Sequence, residues 1–494
     1  MNAVAGSRTF EVEDRRHPLR DRWKRRLVIL GTAMALVVAV SLAISALVLN
    51  PPEIEAAIPR DWTLSNVTIV NPGGTRLESR TVRLHGDRIE SIAPSSEDLH
   101  GEGDVAPGNG RFALPGLIDL HVHLPPALAA GQRSRFLHLF LAHGITSVRD
   151  TGSIAALALG SEIAAGRLSG PRVFGCGSML DGENPELPWA RAVTTPTAGR
   201  QAVRTLAAEG ARCVKVYRGI SAEVLDAIHE EARAIGLPVI GHLPFWASFD
   251  ETRIDELQHV CDPHCWSLDA QAIDSLVRAS LEGPVAHVPT LVVYEGQESA
   301  VDFDRWRQHR ESKLLPAFWA ETLWNPANGL GAPFIPPNGA SSYRTAHAAL
   351  RTQIQRAVRR LHEAGSRILV GTDTPNVFVV PGASLHQELR LLVRAGFSPE
   401  EALQAATALA GEALRIPQLG VLEAGAPADL MIFRDDPTRD LAALNTLEAV
   451  VVAGRYFSKS DVDAVLSRQD RYFQSFPFRW LSHGAARAIA WFFR

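Results

Sequence analysis

Two histidines that alternate along a β-prone segment are the clearest chemical signal in the sequence. The segment Leu117–His123 reads LIDLHVH, and alternate side chains of a strand lie on the same face. His121 and His123 are therefore expected to point the same way, about 7 Å apart along the chain, with Asp119 behind them. Two imidazoles on one face suit a zinc-class metal ion. Taken alone, the motif is a weak signal, and the interpretation of both histidines as hydrogen-bonded core residues is favoured over it.

Four further polar residues lie in or directly after short β-prone runs. Lys215 is a charge inside the apolar run Cys213–Tyr217, and His242, His259 and Asp373 each end such a run. In barrel enzymes the active site is built at the carboxyl ends of the strands. Each residue alone is open to a structural role, such as an amine paired with a buried carboxylate. Their shared placement at strand ends in separate units favours one common site.

The elements that would position these residues alternate through the middle of the chain. Between residues 114 and 415, short β-prone runs such as Val239–His242 alternate with helical patterns such as Ala222–Ile235. Alternation over about 300 residues predicts an α/β fold with a (β/α)8, TIM-like barrel. The flanking residues 62–113 and 416–460 are β-rich instead.

The composition is that of a globular protein. The 494 residues are 46% apolar and 21% charged, and the net charge is -4 with histidine neutral. These values disfavour disordered, collagen-like and coiled-coil chains, and the small acidic balance predicts no nucleic-acid partner. Four cysteines cannot form a disulfide scaffold. Cys261 and Cys265 are close in sequence and would be free to pair in an oxidising compartment, but the sequence does not decide whether they do.

A 23-residue stretch without charge lies near the N-terminus. As a helix, residues 27–49 would rise about 34 Å, enough to cross a hydrocarbon core of roughly 30 Å. The basic segment 1–26 precedes this stretch. The positive-inside rule then predicts a single-pass membrane protein whose N-terminus is cytoplasmic and whose main domain is periplasmic or extracellular. A cleaved signal peptide is the alternative, with Ser41–Ala43 and Ala43–Ser45 as weak cleavage sites.

The C-terminal residues 471–494 form an amphipathic pattern on a helical wheel. The predicted apolar face comprises Phe478, Leu481, Ala485, Ile489 and Phe492. The predicted polar face comprises Arg479, His483, Arg487 and Arg494. Such a helix suits a membrane interface, so lipid is a predicted partner of this tail as well as of the N-terminal anchor. A helix docked on the barrel, or packed in an oligomer, is the alternative.

Taken together, these motifs resemble the amidohydrolase superfamily over roughly residues 62–457. The matching segments are Leu114–His123, Gly144–Asp150, Val214–Tyr217, Gly371–Asp373, Ser384–Leu389 and Gly425–Leu430, with His242 and His259. The resemblance implies a (β/α)8 barrel over residues 114–415 and a small β-sandwich assembled from residues 62–113 and 416–460. The pattern is most similar to the imidazolonepropionase-related group, which includes Xaa-Pro dipeptidases.

The resemblance also implies a site for two divalent metal ions, with zinc as the expected metal. The implied ligands are His121, His123, Lys215, His242, His259 and Asp373. The first two histidines would bind one ion and the last two the other. Lys215 would be carboxylated by CO2 and would bridge both ions, since a carbamate offers two oxygens and a negative charge. Asp373 would bind the first ion and handle the proton of the attacking water.

The implied reaction is hydrolysis of an amide bond, peptide-like or in an N-acyl amino acid, by attack of a metal-bridging hydroxide. A small-molecule substrate would contact Tyr217, Arg218 and Tyr294, and the Arg218 guanidinium suits a carboxylate because it can bind one through two hydrogen bonds. Tyr217–Gly219 and the loop Asp181–Trp189 depart from the dipeptidase pattern, so the substrate stays open. The alternatives are a hydrolase of an ester, cyclic amide or phosphoester, and a catalytically silent barrel that binds a ligand. Self-association of the barrel is also left open.

Overall fold

The computed structural model describes most of the chain in two compact units, residues 1–50 and 51–494. The described residues are 31–40, 51–54, 61–95, 104–125, 132–251, 253–260, 268–283, 285–325 and 340–492.

The predicted membrane span is corrected by the structure. Within the first unit, residues 31–40 are helical and are numbered α1. Among the residues that the structure describes, none of the helices is both long and apolar enough to cross a membrane. The prediction of a single-pass membrane protein with a cytoplasmic N-terminus and an extracytoplasmic domain is therefore wrong. The other residues of the 27–49 stretch lie outside the described part.

The second unit contains strands and helices in alternation. Its described strands are β1 (Trp62–Val70), β2 (Arg76–His85), β3 (Arg88–Pro94), β4 (Asp104–Pro107), β5 (Phe112–Pro115), β6 (Leu117–Val122), β7 (Ile145–Asp150), β8 (Arg172–Gly175), β9 (Leu180–Asp181), β10 (Arg191–Ala192), β11 (Val214–Val216), β12 (Val239–Gly241), β13 (Glu256–Gln258), β14 (Ala286–Val288), β15 (Leu430–Phe433), β16 (Leu447–Val452) and β17 (Arg455–Ser458). Its described helices are α2 (Gln132–Ala142), α3 (Ile154–Ala164), α4 (Pro196–Ala208), α5 (Ala222–Ala234), α6 (Ala270–Glu282), α7 (Leu291–Ser299), α8 (Phe303–Trp306), α9 (Ala340–Glu363), α10 (Ala383–Arg394), α11 (Pro399–Ala405), α12 (Ala408–Ala413), α13 (Lys459–Gln474) and α14 (Phe476–Phe492).

Parallel strands make up the centre of this unit. Strands β6, β7 and β8 form one parallel sheet, and β10, β9, β11, β12, β13 and β14 form another in that order. The segment 368–374 continues the order, because Ile368 pairs with His287 of β14 and Thr374 pairs with Val122 of β6. The predicted α/β class is confirmed. The described strands of this parallel centre form two sheets, however, and not the single closed barrel that was expected.

Both ends of the second unit contribute to a separate sheet. Its strand order is β17, β16, β15, β5, β1, β2 and β3, with β4 beside β1. Strand β15 pairs antiparallel with β5, which places Leu430 opposite Pro115. Buried aliphatic side chains such as Leu64, Ile69 and Val451 form its core. The structure thus contains an additional β-rich domain beside the α/β part, as the flanking sequence predicts.

Helix α14 packs against the protein through one residue of the predicted apolar face. Phe478 is 1% exposed, and its ring centroid lies 4.8 Å from that of Phe473 in α13. Among its described side chains, the exposed aromatic residues are Phe476 and Trp480, which the helical wheel did not place on the apolar face. For the described side chains of α14, docking on the protein therefore fits better than the predicted lipid contact.

A disulfide joins the two parallel sheets at a place where no strand of one sheet pairs with a described strand of the other. Cys176 directly follows β8 and Cys213 directly precedes β11; their Cα atoms are 4.6 Å apart and both residues are fully buried. The backbone N–H of Arg212 also donates to the carbonyl of Gly175 at this seam, over 2.9 Å. Cys261 and Cys265, whose pairing the sequence left open, lie outside the described residues.

We expect the double substitution Cys176→Ala/Cys213→Ala to lower the stability of the protein. A cross-link between cysteines 37 residues apart restricts the unfolded chain, an effect of about 4 kcal/mol in the chain-entropy model. Thermal unfolding followed by circular dichroism should give a midpoint several degrees lower for the variant than for the oxidised wild type. A reductant should bring the two midpoints together. Equal midpoints without reductant would contradict a stabilising role for the cross-link.

Candidate active site

Strand β6 delivers two histidines to the carboxyl end of the parallel sheet. His121 is 1% exposed, and its ring centroid lies 5.3 Å from that of His123. Behind them, buried Asp119 accepts hydrogen bonds from the backbone N–H of His121 (3.2 Å) and from the backbone N–H (3.0 Å) and hydroxyl (2.7 Å) of Thr372. One carboxylate thus ties β6 to the segment that carries Asp373.

Asp373 lies between the histidines. Its Oδ1 is 3.4 Å from Nε2 of His121 and 3.0 Å from Nε2 of His123. Its Oδ2 is 3.7 Å from Nε2 of His259. The backbone φ angles of Asp373 and His259 are +60° and +62°, a region that residues other than glycine rarely adopt. Backbone strain of this kind occurs where the surrounding structure holds a side chain in place for function.

The remaining predicted ligands are brought to the same centre. The ring centroid of His259 lies 4.9 Å from that of His121 and 4.8 Å from that of His242. Lys215, on β11, is 1% exposed and is paired in register with Ile240 of β12. This register places Lys215 on the strand beside the one that His242 follows, and its positive charge lowers the pKa of His121. The four strand-end positions found in the sequence therefore converge with β6.

The electrostatics of the centre favour cation binding. Burial, together with the nearby charges of Lys215 and His259, holds the pKa of His121 well below its usual value. Imidazole binds metal ions in its neutral form. Burial opposes ionisation of Asp373, but its hydrogen bond with His123 and the neighbouring histidine charges hold its pKa below the usual value. At neutral pH the centre thus offers an ionised carboxylate beside a neutral imidazole.

The donor atoms fit a divalent metal ion. Those of His121, His123 and Asp373 lie within 4.8 Å of one another. Ligands about 2.0–2.2 Å from a tetrahedral ion are about 3.4 Å apart. The two nitrogen–oxygen distances from Asp373 to these histidines, 3.4 Å and 3.0 Å, are close to that value.

Hydrogen bonds orient His259 toward Asp373. The hydroxyl of Thr290 lies 2.6 Å from Nδ1 of His259, which leaves Nε2 to face the carboxylate. The hydroxyl of Tyr294 donates to the backbone carbonyl of His259 over 3.2 Å. Tyr294, a predicted substrate contact, is 8% exposed and in this structure supports a histidine. Such partners commonly fix the orientation of metal-binding imidazoles.

Glu388 anchors the helix that follows Thr290. Its buried carboxylate accepts hydrogen bonds from the backbone N–H groups of Leu291 (2.9 Å) and Val292 (2.7 Å), at the start of α7. Burial raises the pKa of Glu388 to about 8. No role for Thr290 or Glu388 could be predicted from the sequence. Glu388 lay inside a matching segment, but no spacing pattern links it to a residue nearly a hundred positions earlier.

Tyr217 and Arg218 extend the site outward from His242. The ring centroids of Tyr217 and His242 are 4.3 Å apart, and the guanidinium carbon of Arg218 lies 5.2 Å from the Tyr217 ring centroid. Arg218 donates from Nε to Oε1 of Glu186 over 2.9 Å, and from Nη2 to Oε2 of the same carboxylate. The residue predicted to bind a substrate carboxylate thus already holds one from the protein.

The comparisons with known proteins agree with this arrangement. The model of the amidohydrolase family matches residues 112–261 and 313–456, more than half of the chain. An imidazolonepropionase from Streptomyces avermitilis is 26% identical over 416 residues, 80% of this chain and 89% of that protein. A solved Xaa-Pro dipeptidase with bound methionine in its active site has a TM-score of 0.61 at 21% identity, covering 81% of this chain and 100% of that one.

A shorter match covers part of another group. An adenine deaminase from Staphylothermus marinus is 36% identical over 95 residues, which are 18% of this chain and only 15% of the deaminase. The likeness to the deaminase is thus confined to a small part of both proteins, whereas the family match spans the segments that carry the histidines and Asp373. The chain belongs to the amidohydrolase family.

Proposed function

We propose that the protein is a metal-dependent hydrolase that cleaves an amide bond, peptide-like or in an N-acyl amino acid, of a small molecule. The observation that carries the proposal is the placement of Asp373 Oδ1 within 3.4 Å of the Nε2 atoms of both His121 and His123. Family membership supports it, and so does the similarity to an imidazolonepropionase and a dipeptidase.

We further propose that two divalent ions, with zinc as the expected metal, occupy the centre. His121, His123 and Asp373 would hold one ion, and His242 and His259 the other. Lys215, carboxylated by CO2, would bridge them; its burial at 1% exposure beside the histidines supports this role. The ions would supply activation of water and polarisation of the scissile carbonyl.

Asp373 is proposed to move the proton. Its lowered pKa keeps the carboxylate ionised at neutral pH, the form that can accept a proton from the attacking water and deliver it to the leaving amine. Asn376 donates from Nδ2 to Oδ2 of Asp373 over 2.9 Å, which restricts the rotation of the carboxylate. The side chain of His123 is 35% exposed, so substrate would enter on this side.

The fold proposed for this activity is a (β/α)8 barrel over residues 114–415, with residues 62–113 and 416–460 forming a sandwich beside it. The pairing of Ile368 with β14 and of Thr374 with β6 supports the barrel, because it links one edge of each parallel sheet through the segment 368–374. The antiparallel pairing of β5 with β15 supports the composite domain.

The test is a substrate screen with parallel metal analysis. Purified protein should contain a divalent metal and should release product from some member of a set of N-acyl amino acids, their neutral amides and Xaa-Pro dipeptides. Prolonged chelation should abolish this turnover, and added zinc should restore it. Turnover of only aryl esters, cyclic amides or phosphoesters would favour the related hydrolases instead. Metal-free protein that is inert to every compound would favour a silent binding protein.

A further inference from the structure

We propose that Glu186 is a built-in carboxylate that occupies Arg218 and makes the site select substrates without a carboxylate at this end. The inference rests on the proposed amide hydrolysis and names a substrate class for it. The class is small amides whose group near Arg218 is uncharged and aromatic or apolar.

A rigid frame holds the two partners face to face. The carboxylate of Asp181, fully buried, accepts backbone hydrogen bonds from Gly182 (2.8 Å) and Gly219 (2.9 Å) on Oδ1 and from Glu186 (3.0 Å) on Oδ2. A Cβ on Gly182 would lie 2.0 Å from the carbonyl oxygen of Gly219, so the two backbones touch. One side chain therefore fixes the loop of Glu186 against the turn that carries Arg218.

The ion pair is accessible enough for a substrate carboxylate to compete with Glu186 for Arg218. The side chains of Arg218 and Glu186 are 22% and 31% exposed, and two hydrogen bonds join them. A substrate carboxylate would have to displace Glu186, and the two anions would repel each other at close range. The resident carboxylate is tethered, so it binds Arg218 without the loss of translational freedom that a free ligand undergoes. A neutral group meets neither obstacle.

The surface around the pair is aromatic. The Arg218 guanidinium carbon lies 5.2 Å from the ring centroid of Tyr217 and 5.6 Å from that of Phe245. Phe245 is 57% exposed and its neighbour Trp246 is 43% exposed. From His242 outward, the substrate path therefore runs along Tyr217 toward exposed rings whose burial an aromatic or apolar group would favour.

The experiment compares a carboxylate with its neutral isostere. The probes are N-acetyl-phenylalanine and N-acetyl-phenylalanine amide. Dissociation constants from calorimetry and kcat/KM from acetate release are measured for the full, metal-loaded chain. The wild type should bind and turn over the amide better than the acid. In Glu186→Gln, which frees Arg218 from a competing charge, the acid-to-amide ratio should rise about tenfold, the effect of one charge-assisted hydrogen bond.

Two further variants distinguish the effect of the Glu186 charge from an effect of substitution on the folding of the loop. Glu186→Asp keeps the carboxylate and should keep the wild-type ratio. Glu183→Gln makes the same charge change at an exposed position of the same loop and should also keep it. An acid-to-amide ratio that is the same in Glu186→Gln and wild type would overturn the inference, even if amides are hydrolysed. Absence of turnover for every amide would instead refute the proposed function, while the calorimetric ratio would still decide the role of Glu186.

Discussion

Asp373→Asn should reduce amide turnover by about 10³-fold, the contribution typical of a positioned general base. The asparagine side chain has nearly the same shape as the aspartate carboxylate but cannot accept a proton at neutral pH. Since Asp373 Oδ1 lies 3.0 Å from Nε2 of His123 and 3.4 Å from Nε2 of His121, the loss of its charge should also weaken metal binding. The measurements are kcat for an amide substrate and the metal content of the purified variant.

A matched control distinguishes this effect from a general change of charge. Asp304 is an exposed aspartate outside the candidate site, with 85% side-chain exposure. Asp304→Asn should keep both the turnover and the metal content of the wild type. Unchanged turnover in Asp373→Asn, with the metal retained, would refute the assigned proton role.

Lys215→Ala should lower the bound metal from two equivalents to one or none and should abolish turnover. The reason is that the proposed bridging carbamate would supply negative charge and two oxygens between two cations, and alanine would supply neither. Lys215→Arg should fail in the same way, because a guanidinium keeps the positive charge but forms no such bridge. Elemental analysis after dialysis measures the metal, and the amide assay measures the turnover.

The control is Lys313→Ala, at an exposed lysine outside the candidate site. It should bind as much metal as the wild type. Two equivalents of metal in Lys215→Ala would contradict the bridging role, and turnover at the wild-type rate would contradict any role of Lys215 in the reaction.

The positions of the candidate ligands could be predicted because each follows from a local pattern. His121 and His123 share a face through the two-residue period of β6. Lys215 lies in a β-prone run, His242, His259 and Asp373 each end one, and parallel strands bring such ends together. The contacts among the four histidines and Asp373 lie at one centre, and their prediction needed no long-range information beyond the order of the strands.

The supporting contacts could not be predicted because each depends on three-dimensional packing. Cys176 and Cys213 meet only because β8 and β11 lie beside each other at a seam between two sheets. Glu186 reaches Arg218 only because Asp181 fixes both loops. Hydropathy of the N-terminal stretch predicted a membrane span, whereas none of the helices in the described part of the chain is long and apolar enough to form one.

The pairing of β5 with β15 has a consequence for synthesis on the ribosome. The two strands are separated by roughly 300 residues of chain, so at about 5–20 residues per second β5 emerges some 15–60 s before its partner exists. During that interval the apolar edge of β5 is open to pairing with other nascent chains. Slower translation or a chaperone that covers this edge should therefore govern the yield of active protein more than its final stability does.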